Sequence, residues 1–287
     1  MYLTQLRAFH AVARCGGFTI AAEKLSLSQP SVSEHVRTLE KDFGVLLFDR
    51  HKRLVKPTAL GLELLAITDR LFETEQEAMD LLSEVQGLKR GFLSIGADGP
   101  AYVMDLIGRY REKYPGITIN LNTGNSSEVH AQLLDKRVDV TIGGPMPEDD
   151  RVVRRLIRRD PMVAYVAASH SWAEQDSISI KAFQDMHIVM RERGSMTRRL
   201  TEEAFAHHEI KPGYVFEVDG QEAARASVAA GVGASIISIG ELGEDPRLKA
   251  IPLSDCKIFM DEFVSCLRQR QHLRTIESFM KIVKTAL

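Results

Sequence analysis

The sequence predicts an α/β protein in three parts, and three observations support this prediction. Two short amphipathic segments near the amino terminus, joined by a polar break, indicate a pair of helices. Residues 58–88 contain no proline and consist mostly of good helix formers, which indicates one long helix. From Gly91 onward, strand patterns alternate with helical patterns, as in a parallel-sheet α/β region. The predicted parts are residues 1–57, 58–90 and 91–287.

The first part contains a helix-turn-helix pattern between Phe18 and Glu40. Apolar residues recur there at spacings of three and four, so each segment forms a helix with one apolar face. Pro30 presets the backbone angle of a helix start, and Ser28 can accept a hydrogen bond from a free amide there. The apolar residues are Ala21, Ala22, Leu25, Val32, Val36 and Leu39.

The polar face of the second helix points to DNA binding. Short donors and acceptors cluster at its start and a cation follows, which suits a helix in a major groove. A basic hairpin, or wing, comes next and can place Arg53 in a minor groove. The alternative is an ordinary helical hairpin with a solvated surface, but these features together favour DNA. The predicted DNA-binding residues are Ser28, Gln29, Pro30, Ser31, Ser33, His35, Arg37, Arg50, Lys52 and Arg53.

The distribution of charge agrees with this interpretation. The 287 residues carry a net charge of −2 and include 44% hydrophobic and 26% charged residues, which excludes a wholly disordered chain. Residues 1–60 contain nine Lys and Arg against five Asp and Glu, a net charge of +4, whereas residues 61–90 carry −4 from three basic and seven acidic residues. The positive field therefore lies where phosphate contacts are predicted.

Cysteine usage and hydropathy indicate a cytoplasmic protein. Cys15, Cys256 and Cys266 lack metal-ligand spacing, so we expect reduced thiols and no metal. No apolar run approaches the roughly 18–20 residues that span a membrane. The chain begins with apolar residues at helical spacing, which we interpret as a core helix and not a secretion signal. We also expect no cofactor.

The long helix has a heptad stripe that predicts pairing with a second copy of the chain. Two helix-turn-helix units related by a two-fold axis would then bind a palindromic DNA site. The alternative is that the stripe packs on its own chain. Gly87 and Gly91 bracket a predicted hinge. The stripe consists of Leu60, Leu64, Ile67, Leu71, Thr74, Ala78, Leu81, Val85 and Leu88.

The α/β part reads as two sets of elements, and therefore as two lobes. The first lobe is predicted over about 91–160 together with 268–287, because the last helix, near 275–286, is expected to return to it. The second lobe is predicted over about 161–267. Strands are predicted near 91–97, 118–122, 138–142, 162–167, 187–190, 215–218, 234–239 and 262–267, and helices near 101–113, 126–136, 196–207 and 222–230.

The whole sequence resembles the LysR-type transcriptional regulators. The resemblance rests on the Phe18-Thr19 and Ala21-Ala22 pairs, the segment Leu27–Ser33, Leu47-Phe48-Asp49-Arg50, and Pro57-Thr58 with Gly61. It implies a winged helix-turn-helix, a dimerising linker helix and a two-lobed effector domain like a periplasmic binding protein. It also implies that Gln29, Pro30, Ser33 and Arg53 contact DNA. The implied partners are operator DNA, a small-molecule effector, RNA polymerase and further copies of the chain, as a dimer or tetramer.

A cleft between the lobes is the predicted effector site, because ligands of α/β units bind at the carboxyl ends of strands. Polar helix starts on both lobes could close around an anion. Taken singly, the same residues are ordinary helix caps, Asn125 with Glu128 and Ser195 among them. The predicted effector-binding residues are Asp98, Gly99, Pro100, Ala101, Asn125, Ser126, Ser127, Gly144, Arg193, Ser195, Thr197 and Asp219.

A narrower resemblance is to the LysR subgroup associated with aminoethylphosphonate catabolism. It rests on the opening segment 3–14 and on segments 96–100, 124–129 and 194–199. It implies a zwitterionic effector, 2-aminoethylphosphonate, whose ammonium group would need a carboxylate such as Asp98 or Asp219. Asp98 has a simpler interpretation as a cap of the following helix. A regulator that senses a carboxylate is the alternative within the family.

Two other classes of function compete with a regulator. An enzyme with a DNA-binding appendage would need a nucleophile with its base or paired carboxylates, and the sequence contains no Gly-x-Ser-x-Gly, His-Glu-x-x-His or Walker pattern. We therefore predict no catalytic residues. An architectural DNA binder would not need a two-lobed domain of nearly 200 residues.

Overall fold

The computed structural model describes residues 2–49, 55–84 and 91–286, with the side chains of residues 73, 76, 77, 79–84, 100–102, 285 and 286 left aside. The chain forms two units, Met1–Leu82 and Ser83–Leu287. The predicted linker helix therefore begins within the first unit and is not a separate part. No helix among the described residues is long and apolar enough to cross a membrane.

The first unit is a small helical bundle with a short hairpin. Its apolar core is built from one face of each of the first three helices, with Phe9, Val12, Val32 and Val36 buried at its centre. The elements are α1 (Leu3–Cys15), α2 (Phe18–Leu25), α3 (Gln29–Phe43), β1 (Phe48–Asp49), β2 (Lys56–Pro57) and α4 (Ala59–Glu84). This arrangement confirms the predicted helix-turn-helix.

Local chemistry fixes both ends of α3. Ser28 caps the start by accepting a hydrogen bond from the Ser31 N–H, and Gly44 ends the helix at a φ of 66°, a conformation that favours glycine. The buried Glu40 carboxylate then accepts hydrogen bonds from the N–H groups of Leu47 at 2.8 Å and Phe48 at 3.3 Å. Glu40 thus holds the segment that leads into β1.

The two wing strands pair in antiparallel fashion, Phe48 with Pro57 and Asp49 with Lys56. This pairing agrees with the predicted hairpin, although its tip, including Arg50, lies outside the described residues. After β2, the Thr58 hydroxyl accepts a hydrogen bond from the Gly61 N–H at 3.1 Å at the start of α4.

Helix α4 packs on α1 through charged side chains and leaves part of its apolar stripe exposed. Arg7 binds Glu75 at 2.6 Å, and His10 lies 3.0 Å from Asp69, which also pairs with Arg14. The exposed stripe residues are Leu60 at 45%, Ile67 at 53% and Leu71 at 39%. Leu64 packs against the core, while Leu81, Val85 and Leu88 lie outside the described side chains or residues. The predicted hinge at 87–91 likewise falls mostly outside them.

The first lobe of the second unit is an α/β layer around a mixed sheet. Strands β3, β4 and β5 are parallel, as predicted. The elements are β3 (Gly91–Ala97), α5 (Pro100–Lys113), β4 (Ile117–Thr123), α6 (Ser126–Leu134) and β5 (Val140–Gly143). The last helix, α10 (Arg274–Ala286), returns to this lobe as predicted, with Ile276, Phe279 and Val283 buried in its core.

Two long strands cross between the lobes. Strand β6 (Val152–Ala167) is much longer than the predicted 162–167, and pairs with β11 (Phe259–Leu267) before it pairs with second-lobe strands. Residues Phe263–Cys266 of β11 pair with β5 in the first lobe. Each crossing strand therefore belongs to both lobes: Val153 and Ile157 of β6 pack against the first-lobe core, whereas Met162 lies in the second-lobe core.

The second lobe surrounds two further groups of strands. β9 (Ser235–Ser238) and β10 (Leu248–Ile251) pair with β6, and β7 (His187–Arg191) pairs in parallel with β8 (Tyr214–Val218). The helices are α7 (Met196–His207), α8 (Gln221–Ala229) and the short α9 (Ile239–Leu242). The short helix α9 and the strand β10 were missing from the prediction, because four-residue elements carry little periodic signal.

Candidate functional site

The start of α3 presents polar groups to solvent. Ser28, Gln29 and Pro30 are exposed, and Ser31 is half-buried. The Ser28 and Ser31 hydroxyls lie 2.7 Å apart. Because the cap and proline fix the backbone, these side chains are held at the exposed end of a rigid helix, where they can reach a large ligand.

The other predicted DNA-binding residues of α3 follow along the same helix. Ser33 and His35 are half-buried and Arg37 is exposed, while Val32, Val36 and Leu39 face the core. Arg50, Lys52 and Arg53 lie outside the described residues. The described part therefore offers one polar helix face with a cation, as a groove-binding helix requires.

In the second unit, Asp98 lies at the carboxyl end of β3 and joins three elements. Its Oδ2 accepts hydrogen bonds from the Ser126 hydroxyl at 2.5 Å and from the Gly144 N–H at 3.0 Å. A Cβ on Gly143 would overlap the Asp98 carboxyl group, so the glycine leaves the space for it. Asp98 is not the cap of α5, because Gly99 occupies that position.

Helices α6 and α7 meet at their amino termini, and hydrogen bonds join the two lobes there. The Met196 N–H of α7 donates to the Ser126 hydroxyl at 3.2 Å, and the Ser127 N–H of α6 donates to the Gly194 carbonyl at 3.1 Å. Gly194 has a φ of 97°, and a Cβ there would lie 2.7 Å from the Asn125 Oδ1. The structure thus brings the predicted helix starts together, with two of their groups already bonded to each other.

A cavity of about 500 Å³ adjoins this contact and is lined by residues of both lobes. Four predicted residues, Ser126, Ser127, Arg193 and Ser195, line it. Arg193 is exposed, whereas the neighbouring Arg198 is bound to Glu202 at 2.7 Å and to Glu217 at 2.6 Å. Arg199, which also lines the cavity, lies 3.4 Å from Glu203. Arg193 is therefore the best placed of the three guanidinium groups to meet an anion in this cavity.

The remaining predicted effector residues have other roles. Asn125 caps α6 in a capping box with Glu128, and Ser195 caps α7. Thr197 is buried, and its backbone carbonyl accepts a hydrogen bond from the Thr201 hydroxyl. Asp219 is exposed and is not among the described residues that line this cavity, so its predicted role in effector binding stays a prediction. Pro100 and Ala101 begin α5, and their side chains are not described.

Sequence reasoning identified Asp98 but missed two buried glutamates, Glu241 and Glu262, that lie close to it. One carboxyl oxygen each of Asp98, Glu241 and Glu262 lies within 4.8 Å of the others. Burial raises the pKa of all three carboxyl groups; that of Glu241 rises to about 8, helped by the Asp98 charge. No local pattern marks Glu262, since it stands beside a second acid, Asp261, in strand β11.

A second missed pair lies beside the acids. Arg191, not the predicted Arg193, has the less exposed guanidinium, with 11% of its side chain accessible, and it donates two hydrogen bonds of 2.8 Å to Glu192. Burial opposes ionisation of Glu192, but the bonds from Arg191 and from the Gly220 N–H hold the pKa of Glu192 at about 2. This pair is therefore an internally neutralised ion pair.

Comparison with known families decides the identity of this architecture. A model described as the LysR substrate binding domain matches residues 86–287, and one described as the bacterial regulatory helix-turn-helix protein, lysR family, matches residues 3–62. The chain belongs to the LysR family. It is a transcriptional regulator with an amino-terminal helix-turn-helix and a two-lobed effector-binding domain.

Individual LysR regulators support this assignment over most of the chain. The HTH-type transcriptional activator CmpR of a Synechocystis species is 32% identical over 242 residues, which cover 84% of this chain and 80% of CmpR. The structure of full-length CbnR complexed with its target DNA has a TM-score of 0.68 at 22% identity and covers all of both chains. The Synechocystis PCC6803 CcmR regulatory domain in complex with 2-PG has a TM-score of 0.63 at 24% identity, covering 68% of this chain and 97% of that domain.

These names give no support to the aminoethylphosphonate subgroup. The narrower resemblance rested on short segments, several of which contain the glycines and caps that this fold itself requires, such as Gly99, Asn125 and Ser195. The family assignment is therefore firm and the effector is a separate question.

Proposed function

We propose that this LysR regulator reads a palindromic operator with α3 and the wing, and that a small anionic or zwitterionic effector binding in the interlobe cleft controls this activity. The main observation in support is a chain of two hydrogen bonds: the Met196 N–H donates to the Ser126 hydroxyl, and that hydroxyl donates to Asp98. An effector oxygen that competes for these donors would alter the contact between the lobes. A ligand that binds one lobe arrangement better than the other shifts their populations.

The chemistry of the cavity favours an anionic group. The amino ends of α6 and α7 carry partial positive charge, and Arg193 adds a full one. The cavity has room for a small metabolite. Suitable candidates are 2-aminoethylphosphonate, 2-PG, which is bound by the CcmR domain, and a plain dicarboxylate. We propose a sensor and not an enzyme, because the two LysR family models together account for residues 3–62 and 86–287.

The exposed stripe on α4 supports assembly. Leu60, Ile67 and Leu71 share one helical face and remain exposed in the single chain. We propose that this face pairs with the same face of a second copy, so that two α3 helices read two half-sites. The same arrangement is compatible with a tetramer and with contact to RNA polymerase.

The test is calorimetric titration of the full-length protein with inorganic phosphate, 2-aminoethylphosphonate, 2-PG and succinate. At least one should bind, and Ser126→Ala and Arg193→Ala should each weaken it at least tenfold without weakening DNA binding. Ser171→Ala, which removes an exposed hydroxyl from the same lobe as Arg193, is the control. Equal affinity in Ser126→Ala and Ser171→Ala would place the effector elsewhere.

A further inference from the structure

Three carboxyl groups from different elements meet inside the second unit. Asp98 follows β3 in the first lobe, Glu241 belongs to α9 in the second lobe, and Glu262 lies on the crossing strand β11. One oxygen of each lies within 4.8 Å of the other two. Residues far apart in the sequence are therefore brought together by the closure of both lobes.

Each of the three carboxyl groups has one oxygen without a hydrogen-bond donor among the described residues. Asp98 Oδ1, Glu241 Oε2 and Glu262 Oε2 are each inaccessible to solvent and without a hydrogen-bond partner. Glu262 is the strongest case, since this residue is only 1% exposed and one of its oxygens lies within 4.8 Å of an oxygen of each of the other two carboxyl groups. Buried polar atoms without a partner are costly, so three acceptors around one point indicate a missing donor or cation.

The neighbouring cations are already engaged. Arg191 donates two hydrogen bonds to Glu192, while its charge also acts to lower the pKa of Asp98 and Glu241. Arg158 lies 2.6 Å from Asp160. Asp160 adds a further negative charge near Glu241 and Glu262. Burial together with this repulsion raises the pKa of Glu241 to about 8 and that of Glu262 well above its ordinary value, so without a ligand the group retains protons at neutral pH.

We infer that Asp98, Glu241 and Glu262 form a binding site for a compact cation, either a primary ammonium group or a divalent metal ion. An ammonium group has three N–H donors, and three acceptors about 2.8 Å from its nitrogen at tetrahedral angles lie about 4.6 Å apart. Hard divalent cations also prefer carboxylate oxygens. An ammonium group would belong to the effector, so this form of the inference, the ammonium source, rests on the proposed function. A metal ion, the metal source, would bind independently of that function.

Two consequences follow from this site. Its ligands come from both lobes, so a bound cation stabilises the arrangement in which Ser126 also bonds Asp98 and Met196. The carboxyl groups must lose protons before they bind a cation, so binding releases protons and tightens as the pH rises. An adventitious surface site would show neither dependence on Glu262 nor this proton release.

The metal source is tested on full-length protein stripped with a chelator and titrated with Mn²⁺ alone by equilibrium dialysis. If a metal is the ligand, wild type binds one Mn²⁺ per chain at least tenfold more tightly than Glu262→Gln. Glu112→Gln, which changes an exposed glutamate on α5 in the same way, should bind like wild type. Glu241→Gln is a second variant should Glu262→Gln fail to fold.

The ammonium source is tested by titration with 2-aminoethylphosphonate and with propylphosphonate, which has a similar shape and no ammonium group. If the effector supplies the cation, wild type prefers the amine at least tenfold and Glu262→Gln loses that preference. Repeating the titration in buffers of different ionisation enthalpy should show proton release with the amine and less with propylphosphonate.

The outcomes separate this inference from the proposed function. Success in either arm supports the site and identifies its source. No specific Mn²⁺ binding together with no preference for the amine would overturn the inference, as would equal behaviour of Glu262→Gln and Glu112→Gln. If the inference fails but both phosphonates bind equally well, the proposed effector cleft is still supported. If Mn²⁺ binds and no anion does, the cation site is supported and the effector cleft is not.

Discussion

The start of α3 and the starts of α6 and α7 have similar local chemistry in opposite surroundings. Each begins with a capping side chain, Ser28, Asn125 or Ser195, that accepts a hydrogen bond from the first turn. Ser28 is exposed, whereas Asn125 and Ser195 are buried. Exposure leaves α3 accessible to a partner as large as DNA, while burial restricts the cleft to a small ligand. A capping pattern thus predicts a helix start but not what binds to it.

The largest expected effect is the dependence of the second unit's free energy of unfolding on pH. Glu241 has a folded pKa of about 8, above its ordinary value of 4.5, so its contribution to stability is present at low pH and is lost as the pH rises towards 8. In chelator and without effector, the free energy of unfolding of the second unit should fall by about 3 kcal/mol between pH 5 and pH 8. Glu241→Gln should flatten this dependence.

The measurement is urea unfolding followed by fluorescence. Trp172 is the single tryptophan and its ring lies 5.3 Å from that of Phe183 in the second lobe, so the signal reports this unit. Equal slopes with pH in wild type and Glu241→Gln would show that Glu241 is not buried as an acid.

Removing the Ser126 hydroxyl, which joins the lobes, should have a smaller effect on the free energy of unfolding. Ser126→Ala leaves the Met196 N–H without its acceptor and removes one donor from Asp98, so we expect a loss of about 2–3 kcal/mol in the same unfolding experiment. The matched change at the exposed helix start, Ser31→Ala, should leave this transition unchanged, since Ser31 lies in the other unit. Similar losses in both variants would remove the contrast between the two regions.

The smallest effect is expected in sequence preference for DNA. Gln29 is exposed, so Gln29→Ala should leave the fold intact and reduce discrimination between operator and unrelated DNA by about 1–2 kcal/mol, the size of one base contact. Fluorescence anisotropy on an operator selected in vitro measures this, with thermal unfolding as a check that the fold is intact. Undiminished discrimination would mean that another face of the unit reads the bases.

Much of the fold was predictable because it depends on local patterns. The helix Met196–His207 was placed with its observed bounds, and the three parallel strands of the first lobe were placed to within two residues at each end. Caps and glycines mark such boundaries directly in the sequence. The length of β6 was missed because its first half, Val152–Arg159, is rich in arginine and does not resemble a buried strand.

The candidate site was only half predictable. Asn125, Ser126 and Ser195 were found because hydroxyl and amide groups at helix starts have a recognisable spacing, and the structure brings them together. Arg191, Glu241 and Glu262 were missed because nothing near them in the sequence shows that they face a common cleft. Burial and neighbouring negative charges raise the pKa values of Glu241 and Glu262, and the nearby carboxylates raise that of Arg191 against the effect of burial; these are properties of the folded chain.

The sequence by itself therefore determined the family, the polar face of α3 and the alternation of strands and helices, because each follows from residues close together in the chain. The tertiary structure decided which polar groups share an environment. It placed Asp98 between Ser126 and Gly144 and brought Glu241 and Glu262 to face it, because strands β6 and β11 cross between the lobes. Contacts over such separations depend on strand register and lobe closure, which no local pattern encodes.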